Sequence, residues 1–151
     1  MGQPVVHFEI EGRDADELRR FYSQLFGWEI DANNPFGYGV VSHDGNTNSD
    51  GVGIGGAVGG VPEIPSPTWR GRSRADGYEG HVTVYIEVPD VAAALAMAES
   101  LGGTRMQGPD EVMGGVVTGK FNDPEGRLIG VVSPARSHSS DAETSRDAGQ
   151  R

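Results

Sequence analysis

The sequence predicts an α+β protein in which one strand–helix unit occurs twice. Two observations carry this. Residues 5–11, VVHFEIE, alternate apolar and polar side chains with the two-residue period of a half-buried strand, and the stretch from Asp14 to Gly27 has the caps and spacing of a helix. A weaker copy follows about half a chain later: Val82 to Val88 is again a strand, and Asp90 to Gly102-Gly103 is again a helix closed by glycine. Self-similarity of this kind decides a fold before any local signal does.

In the first strand, residues 4–11, Phe8 and Ile10 point one way and His7, Glu9 and Glu11 the other. That polar face either meets water or lines a wet cleft. Asp14 with Glu17 fits a capping box, Asp standing for Ser or Thr. Leu18, Phe21, Tyr22 and Leu25 recur at i, i+3, i+4 and i+7, and Gly27 is placed to stop the helix, so a helix is expected over 15–26 against Phe8 and Ile10. Trp28-Glu29-Ile30 begins a short strand, Asn33-Asn34-Pro35 is a turn and residues 38–42 are a third strand. A polar loop over 43–51 leads to a glycine-rich fourth strand, Val52–Val58. Its Gly53, Gly55 and Gly56 lack the lysine and following helix of a phosphate loop; glycine here opens space or bends the strand. Residues 59–80, with Pro62, Pro65, Pro67, Trp69, Arg70, Arg72 and Arg74, read as a semi-rigid linker.

The second half repeats the order. A strand over 82–88 precedes a helix over 90–101, with Val91, Leu95, Ala98 and Leu101 on one side. A short strand at 104–107, a turn at Gly108-Pro109, a strand at 115–122, a turn at 122–126 and a closing strand at 128–132 complete it. The expected division is a first βαβββ module over 1–58, a linker over 59–80, a second βαβββ module over 81–133, and a disordered Ser-, Asp- and Ala-rich tail over 134–151 that holds His138.

Composition narrows the function. Net charge is -10, whereas binding a phosphate backbone needs clustered Lys and Arg, so nucleic acid is not an expected partner. Cysteine is absent, which excludes disulfides, thiolate zinc sites and cysteine nucleophiles. The N-terminus runs directly into a strand with no basic and apolar leader, and no apolar run approaches the ~20 residues of a membrane span. The expectation is a cytoplasmic protein without a membrane partner.

The motif Leu18-x-x-Phe21-Tyr22-x-x-Leu25-Phe26-Gly27-Trp28, the run Tyr85-Ile86-Glu87-Val88-Pro89-Asp90-Val91, Gly102-Gly103, and Phe121-Asn122-Asp123-Pro124-Glu125-Gly126-Arg127-Leu128-Ile129-Gly130 occur in that order. Together they resemble the vicinal oxygen chelate superfamily, which includes glyoxalase I, the bleomycin- and fosfomycin-resistance proteins and extradiol dioxygenases. The resemblance covers roughly residues 4–133. It implies two modules whose curled mixed sheets enclose a cleft on the side away from the helices. In metal-dependent relatives, a His on the first strand and an acid on the last strand of each module hold a divalent ion. His7, seven residues before Asp14, matches the first of these. The equivalent second position, seven before Asp90, is Thr83; Gly130 stands at the second acid position, and the fourth strand has no acid. One of four positions is kept, below the three converging ligands such a centre needs. The expectation is no resident cofactor, with a divalent metal, held first by His7, as the exception. His81 and Glu87 share the face of Thr83 and offer an atypical set with His7 and Glu9.

The candidate catalytic residues are His7, as ligand or general base, and Glu9. The candidate ligand-binding residues are Tyr38, Trp69, Thr83, Tyr85, Glu87, Met113 and Phe121, and Met106 is a further wall candidate. Besides a structural or regulatory module with no ligand at all, which a filled cleft would favour, two functional readings stay open. One is a binding protein for a small molecule, planar or hydrophobic and, given the chain's acidity, cationic. The other is a lyase, isomerase or dioxygenase-like enzyme working through a metal or through His7 as an acid–base group. A homodimer is the expected assembly, by resemblance.

Overall fold

A computed structural model describes residues 1–136. The disordered-tail expectation therefore falls, from residue 137 on and including His138, outside the described residues. The elements are β1 (Val5–Gly12), α1 (Ala15–Phe26), β2 (Ile30–Asp31), β3 (Gly39–Val41), β4 (Gly55–Gly60), β5 (His81–Glu87), α2 (Val91–Ser100), β6 (Thr104–Glu111), β7 (Val117–Asn122) and β8 (Leu128–Val132). They form one eight-stranded mixed sheet in the order β2-β3-β4-β1-β5-β8-β7-β6. The repeat is visible in the pairing: β1 lies parallel to β4, as β5 lies parallel to β8. The halves meet where β1 and β5 run antiparallel, with Glu9 opposite Thr83 and Glu11 opposite His81.

Both helices lie on the same class of surface and start the same way. Asp14 Oδ1 accepts from the Glu17 amide and Asp90 Oδ1 from the Ala93 amide, each satisfying a helix donor that would otherwise go unpaired. Gly27 ends α1 in the left-handed conformation, φ 70°, and its amide donates to Ser23 O. On α2 the core is Val88, Val91, Leu95 and Val131, with Phe121 packed against it. On α1 the apolar stripe builds an aromatic cluster instead: Trp28 lies 5.3 Å from Phe8 and 5.8 Å from Tyr22, centroid to centroid.

Three boundaries differ from the sequence expectation. β4 runs from Gly55 to Gly60, shifted towards the linker. Asn48 Oδ1 accepts from the Asp50 and Val52 amides, which folds residues 48–52 into the preceding loop. β6 extends to Glu111, through the Gly108-Pro109 pair that reads as a turn. This is the sheet's edge strand, where a proline's missing N–H costs no ladder bond, and the register shift between Gln107 and Asp110 absorbs the irregularity. β7 begins at Val117, after a short turn over Met113–Gly115.

The helix-free face of β1 and β5 carries the polar side chains, and close packing of glycine and aromatic residues holds the sheet at these central strands. Gly130 on β8 is covered by the Tyr85 ring: a Cβ there would stand 2.5 Å from Tyr85 Cδ1. Gly130→Ala is expected to destabilise the protein by about 1–3 kcal/mol through overpacking. The midpoint of urea unfolding checks this, and an unchanged midpoint would mean that the ring has room to yield.

Candidate functional site

Strand alternation turns His7, Glu9 and Glu11 of β1 and His81, Thr83 and Tyr85 of β5 to one face. Glu9 is its centre and is only 4% exposed. A carboxylate this buried must be fully paired, and it is. Tyr38 and Tyr85 donate their hydroxyls to Glu9 Oε2 at 2.7 and 3.1 Å. His81 Nε2 lies 2.6 Å and Lys120 Nζ 3.4 Å from Oε1. These partners outweigh burial, the largest single influence and an opposing one, and hold the Glu9 pKa down at about 2. Burial and the Glu9 charge push the hydroxyls of Tyr38 and Tyr85 far above the usual phenol range, so both remain donors.

An ionised Glu9 accepts only, which fixes the proton of His81 on Nε2 when the ring is neutral. Nδ1 then accepts from the Tyr78 hydroxyl, 2.5 Å away, and Glu11 Oε2 stands 3.5 Å from the same nitrogen. Glu11 has no direct cationic contact as close as those of Glu9. Burial, reinforced by the Glu9 charge, lifts its pKa from 4.5 to about 7. Two carboxylates two residues apart thus hold protons very differently at neutral pH.

Above this network opens a cavity of about 480 Å³. Glu11, His81 and Lys120 reach it from the sheet, and Tyr78, Trp69 and Phe36 from the flanking loops. Trp69 is held by its Nε1–H donating to Arg72 O and by the Tyr78 ring, 5.8 Å away between centroids.

The candidate residues divide accordingly. Glu9, Tyr38 and Tyr85 form the network, and Trp69 walls the cavity. Thr83 is buried beside Glu9 with its hydroxyl donated to Leu128 O at 2.6 Å. His7 lies one step along the strand, opposite Tyr85, with ring centroids 5.4 Å apart, and burial depresses its pKa. Glu87 lies beyond Tyr85 on the same face, paired in register with Val132. Phe121 belongs to the other side of the sheet: alternation places Lys120 in the site and Phe121 on the Leu95 core, so Phe121 does not wall the cleft. Met113 is 52% exposed in the turn before β7, outside the cavity lining. The residues not singled out from sequence are Lys120, Tyr78 and Glu11. Lys120 carries a readable signal, being the only lysine in a chain whose other basic residues are all arginine.

The glyoxalase-like domain family matches residues 7–132, most of the chain and both halves of the sheet. The chain belongs to the glyoxalase-like domain family. Solved structures of similar fold include a Streptomyces coelicolor methylmalonyl-CoA epimerase variant in complex with 2-nitronate-propionyl-CoA, at 21% identity and TM-score 0.58 over 89% of this chain and 99% of that one. A glyoxalase/bleomycin resistance protein/dioxygenase superfamily member from Vibrio splendidus 12B01 is similar at 14% identity and TM-score 0.54, over 88% and 100% of the two chains. Methylmalonyl-CoA epimerase from Mycobacterium tuberculosis is similar at 16% identity and TM-score 0.54, over 87% and 88%. At these identities the likeness is one of fold. No curated protein matches the sequence. Among the described residues no helix is long and apolar enough to cross a membrane.

A metal centre at the family positions does not fit this glyoxalase-like chain. Thr83 spends its hydroxyl on a backbone carbonyl, and the Tyr85 ring occupies the space over Gly130. A different trio, Glu9, Glu11 and His81, brings one ligand atom each within 4.8 Å of one another. Its donors are already engaged, however: Glu9 Oε1 faces both an imidazole nitrogen and the Lys120 ammonium, so a divalent ion would have to displace a proton and meet a resident cation. The trio's chemistry is that of a hydrogen-bonded proton site.

Proposed function

We propose that this protein binds a small molecule in the cavity over Glu11, His81 and Lys120, and that it does so without a metal. The observation that carries the reading is the cavity itself: about 480 Å³, within the range of small-ligand sites, with an aromatic wall and a floor of convergent polar groups. The polar floor is preorganised, because Glu9 beneath it is tied by four side chains: His81 and Tyr85 of β5, Lys120 of β7 and Tyr38 just before β3. The methylmalonyl-CoA epimerase complex supports a ligand site on this fold, since it too is named with a bound small molecule. Two arms test the proposal. Ligands found by a thermal-shift screen of small metabolites should bind equally well before and after dialysis against a chelator. A tenfold loss of affinity restored by one divalent ion would overturn metal independence.

One observation favours a second reading, acid–base catalysis. Glu11 combines a pKa of about 7 with a place on the cavity floor 3.5 Å from an imidazole nitrogen, which suits a general base whose conjugate acid is also useful. Proton abstraction next to a carbonyl is then the expected chemistry, with Glu11 taking the proton and Lys120, in the same lining, the cation available to a developing oxyanion. For a bound carbonyl ligand, exchange of its α-proton in deuterium oxide, followed by NMR, is expected to slow at least about 100-fold in Glu11→Gln. Exchange at the wild-type rate in that variant would leave the pure binding reading standing.

A further inference from the structure

We propose that the cavity is built for an organic anion, a carboxylate carried on a flat apolar body, and that Arg72 and Arg74 select it. This rests on the reading of the cavity as a ligand site and adds the ligand's class. It is opposite in sign to the ligand that the chain's overall charge suggests.

The cations around the cavity differ in how closely an acid meets them. Lys120 is matched by the ionised Glu9 beneath it. Arg72 and Arg74, both in the cavity lining, have no carboxylate within ion-pair distance among the described residues. Each is oriented by a backbone carbonyl instead: Arg72 donates to Asp76 O, and Arg74 Nη1 to Val61 O at 3.4 Å. A carbonyl positions a guanidinium without neutralising it. A third cation stands close by, since Arg13 Nη2 and Arg72 Nη2 flank the same point above Gly77, each 3.5 Å from it. Exposed guanidinia with no carboxylate at ion-pair distance, beside an aromatic-walled cavity, leave in-plane donors open to an anion.

The nearby acids meet these cations only at longer range and take their hydrogen bonds elsewhere. Asp76 is turned to Ser73, whose amide and hydroxyl both donate to its Oδ2. Asp110 is held by Ser66, Thr68 and Gln107. Glu11 is the one carboxyl on the floor, and its proton affinity leaves it only partly charged at neutral pH. The rest of the wall is apolar and flat. Trp69 and the 71% exposed Phe36 present aromatic surface, and Val61, Pro62 and Pro65 add apolar surface between them. Guanidinium groups take carboxylates in paired, in-plane hydrogen bonds, and aromatic walls take planar groups.

The test uses the full chain labelled with 5-fluorotryptophan, whose two fluorine resonances, Trp28 and Trp69, are assigned with Trp28→Phe. The probes are indole-3-acetate, indole-3-acetamide and tryptamine, equal in body and different in charge. Indole-3-acetate is expected to shift the Trp69 resonance alone and to bind at least about tenfold tighter than the other two, as one charge-assisted hydrogen bond predicts. Arg72→Gln with Arg74→Gln should remove that preference while leaving the Trp28 resonance in place, which reports an intact fold. Equal binding of all three, or tightest binding of tryptamine, overturns the anion assignment and leaves the cavity as a ligand site. Failure of every probe, together with failure of a charge-mixed fragment set to move Trp69, overturns both.

Discussion

Replacing Glu9 with alanine is expected to cost the fold about 3–5 kcal/mol, the range for breaking a buried ion pair from one side. The substitution removes one side chain and strands four. Lys120 loses the carboxylate 3.4 Å from its ammonium, His81 loses the acceptor of its Nε2–H, and the hydroxyls of Tyr38 and Tyr85 lose theirs. Tyr85 is 6% exposed and the His81 and Lys120 side chains 9% and 12%, so little water replaces the lost acceptor. Urea unfolding of Glu9→Ala at pH 7 measures the cost, and a loss below about 1 kcal/mol would show that the network is not what joins the halves. Glu9→Gln keeps the shape and one accepting oxygen but sets an NH2 donor against either the tyrosine hydroxyls or His81 and Lys120, so a smaller loss is expected. Adding Lys120→Met should then recover much of it, because an apolar side chain of similar length asks for no counter-charge. If the double variant is no more stable than Glu9→Gln alone, Lys120 and Glu9 are not energetically coupled.

The division between what could and could not be read from the sequence follows from how far each signal reaches. Helix α1 was legible to the residue because its signals are local: Asp14 at the start, the apolar stripe, Gly27 at the end. Glu9 and Tyr85 could be placed on one face because β1 and β5 alternate clearly, whereas no such pattern reaches Tyr38, just before β3. β6 was cut short because glycine followed by proline reads as a turn everywhere except on an edge strand, and sequence alone does not say which strand is the edge. Phe121 and Lys120 exchange roles for a related reason. The run Val116-Val117-Thr118-Gly119-Lys120-Phe121 has no alternation from which to choose a face, and an aromatic residue looks the better wall. Gly119 decides it: a Cβ there would stand 2.7 Å from Leu95 Cδ1, so the odd-numbered positions face the helix and Lys120 faces the site. Tyr78 and the two cavity arginines lay in what read as a linker, where no periodicity exists to place a side chain. Net charge is likewise a weak guide to a ligand's sign, because it is a property of the whole chain, while a ligand meets the few groups that line its site.

Glu11→Gln is expected to make the protein more stable at neutral pH, by up to about 3 kcal/mol, and the sign can be worked through. In the folded chain Glu11 keeps its proton up to a pKa of about 7; the ordinary value is 4.5. Between those values the native state therefore holds a proton that the unfolded chain has released, and stability falls as pH rises through that window. Above about pH 7 the full cost of holding Glu11 charged and buried beside Glu9 is present. Glu9 works in the opposite sense. Its folded pKa of about 2 lies below 4.5, so its contribution is complete above pH 4.5 and is lost as pH falls towards 2. The two together place the stability maximum of the network near pH 4.5–5, on the acid side of neutrality. Urea unfolding of wild type and Glu11→Gln between pH 5 and pH 8 separates this from the general charge repulsion of an acidic chain, which both proteins share. The wild type should lose stability relative to the variant as pH rises, and the two should converge near pH 5. Parallel profiles would mean that Glu11 titrates like an ordinary glutamate, and would remove the group that makes proton transfer in this cavity a physical possibility.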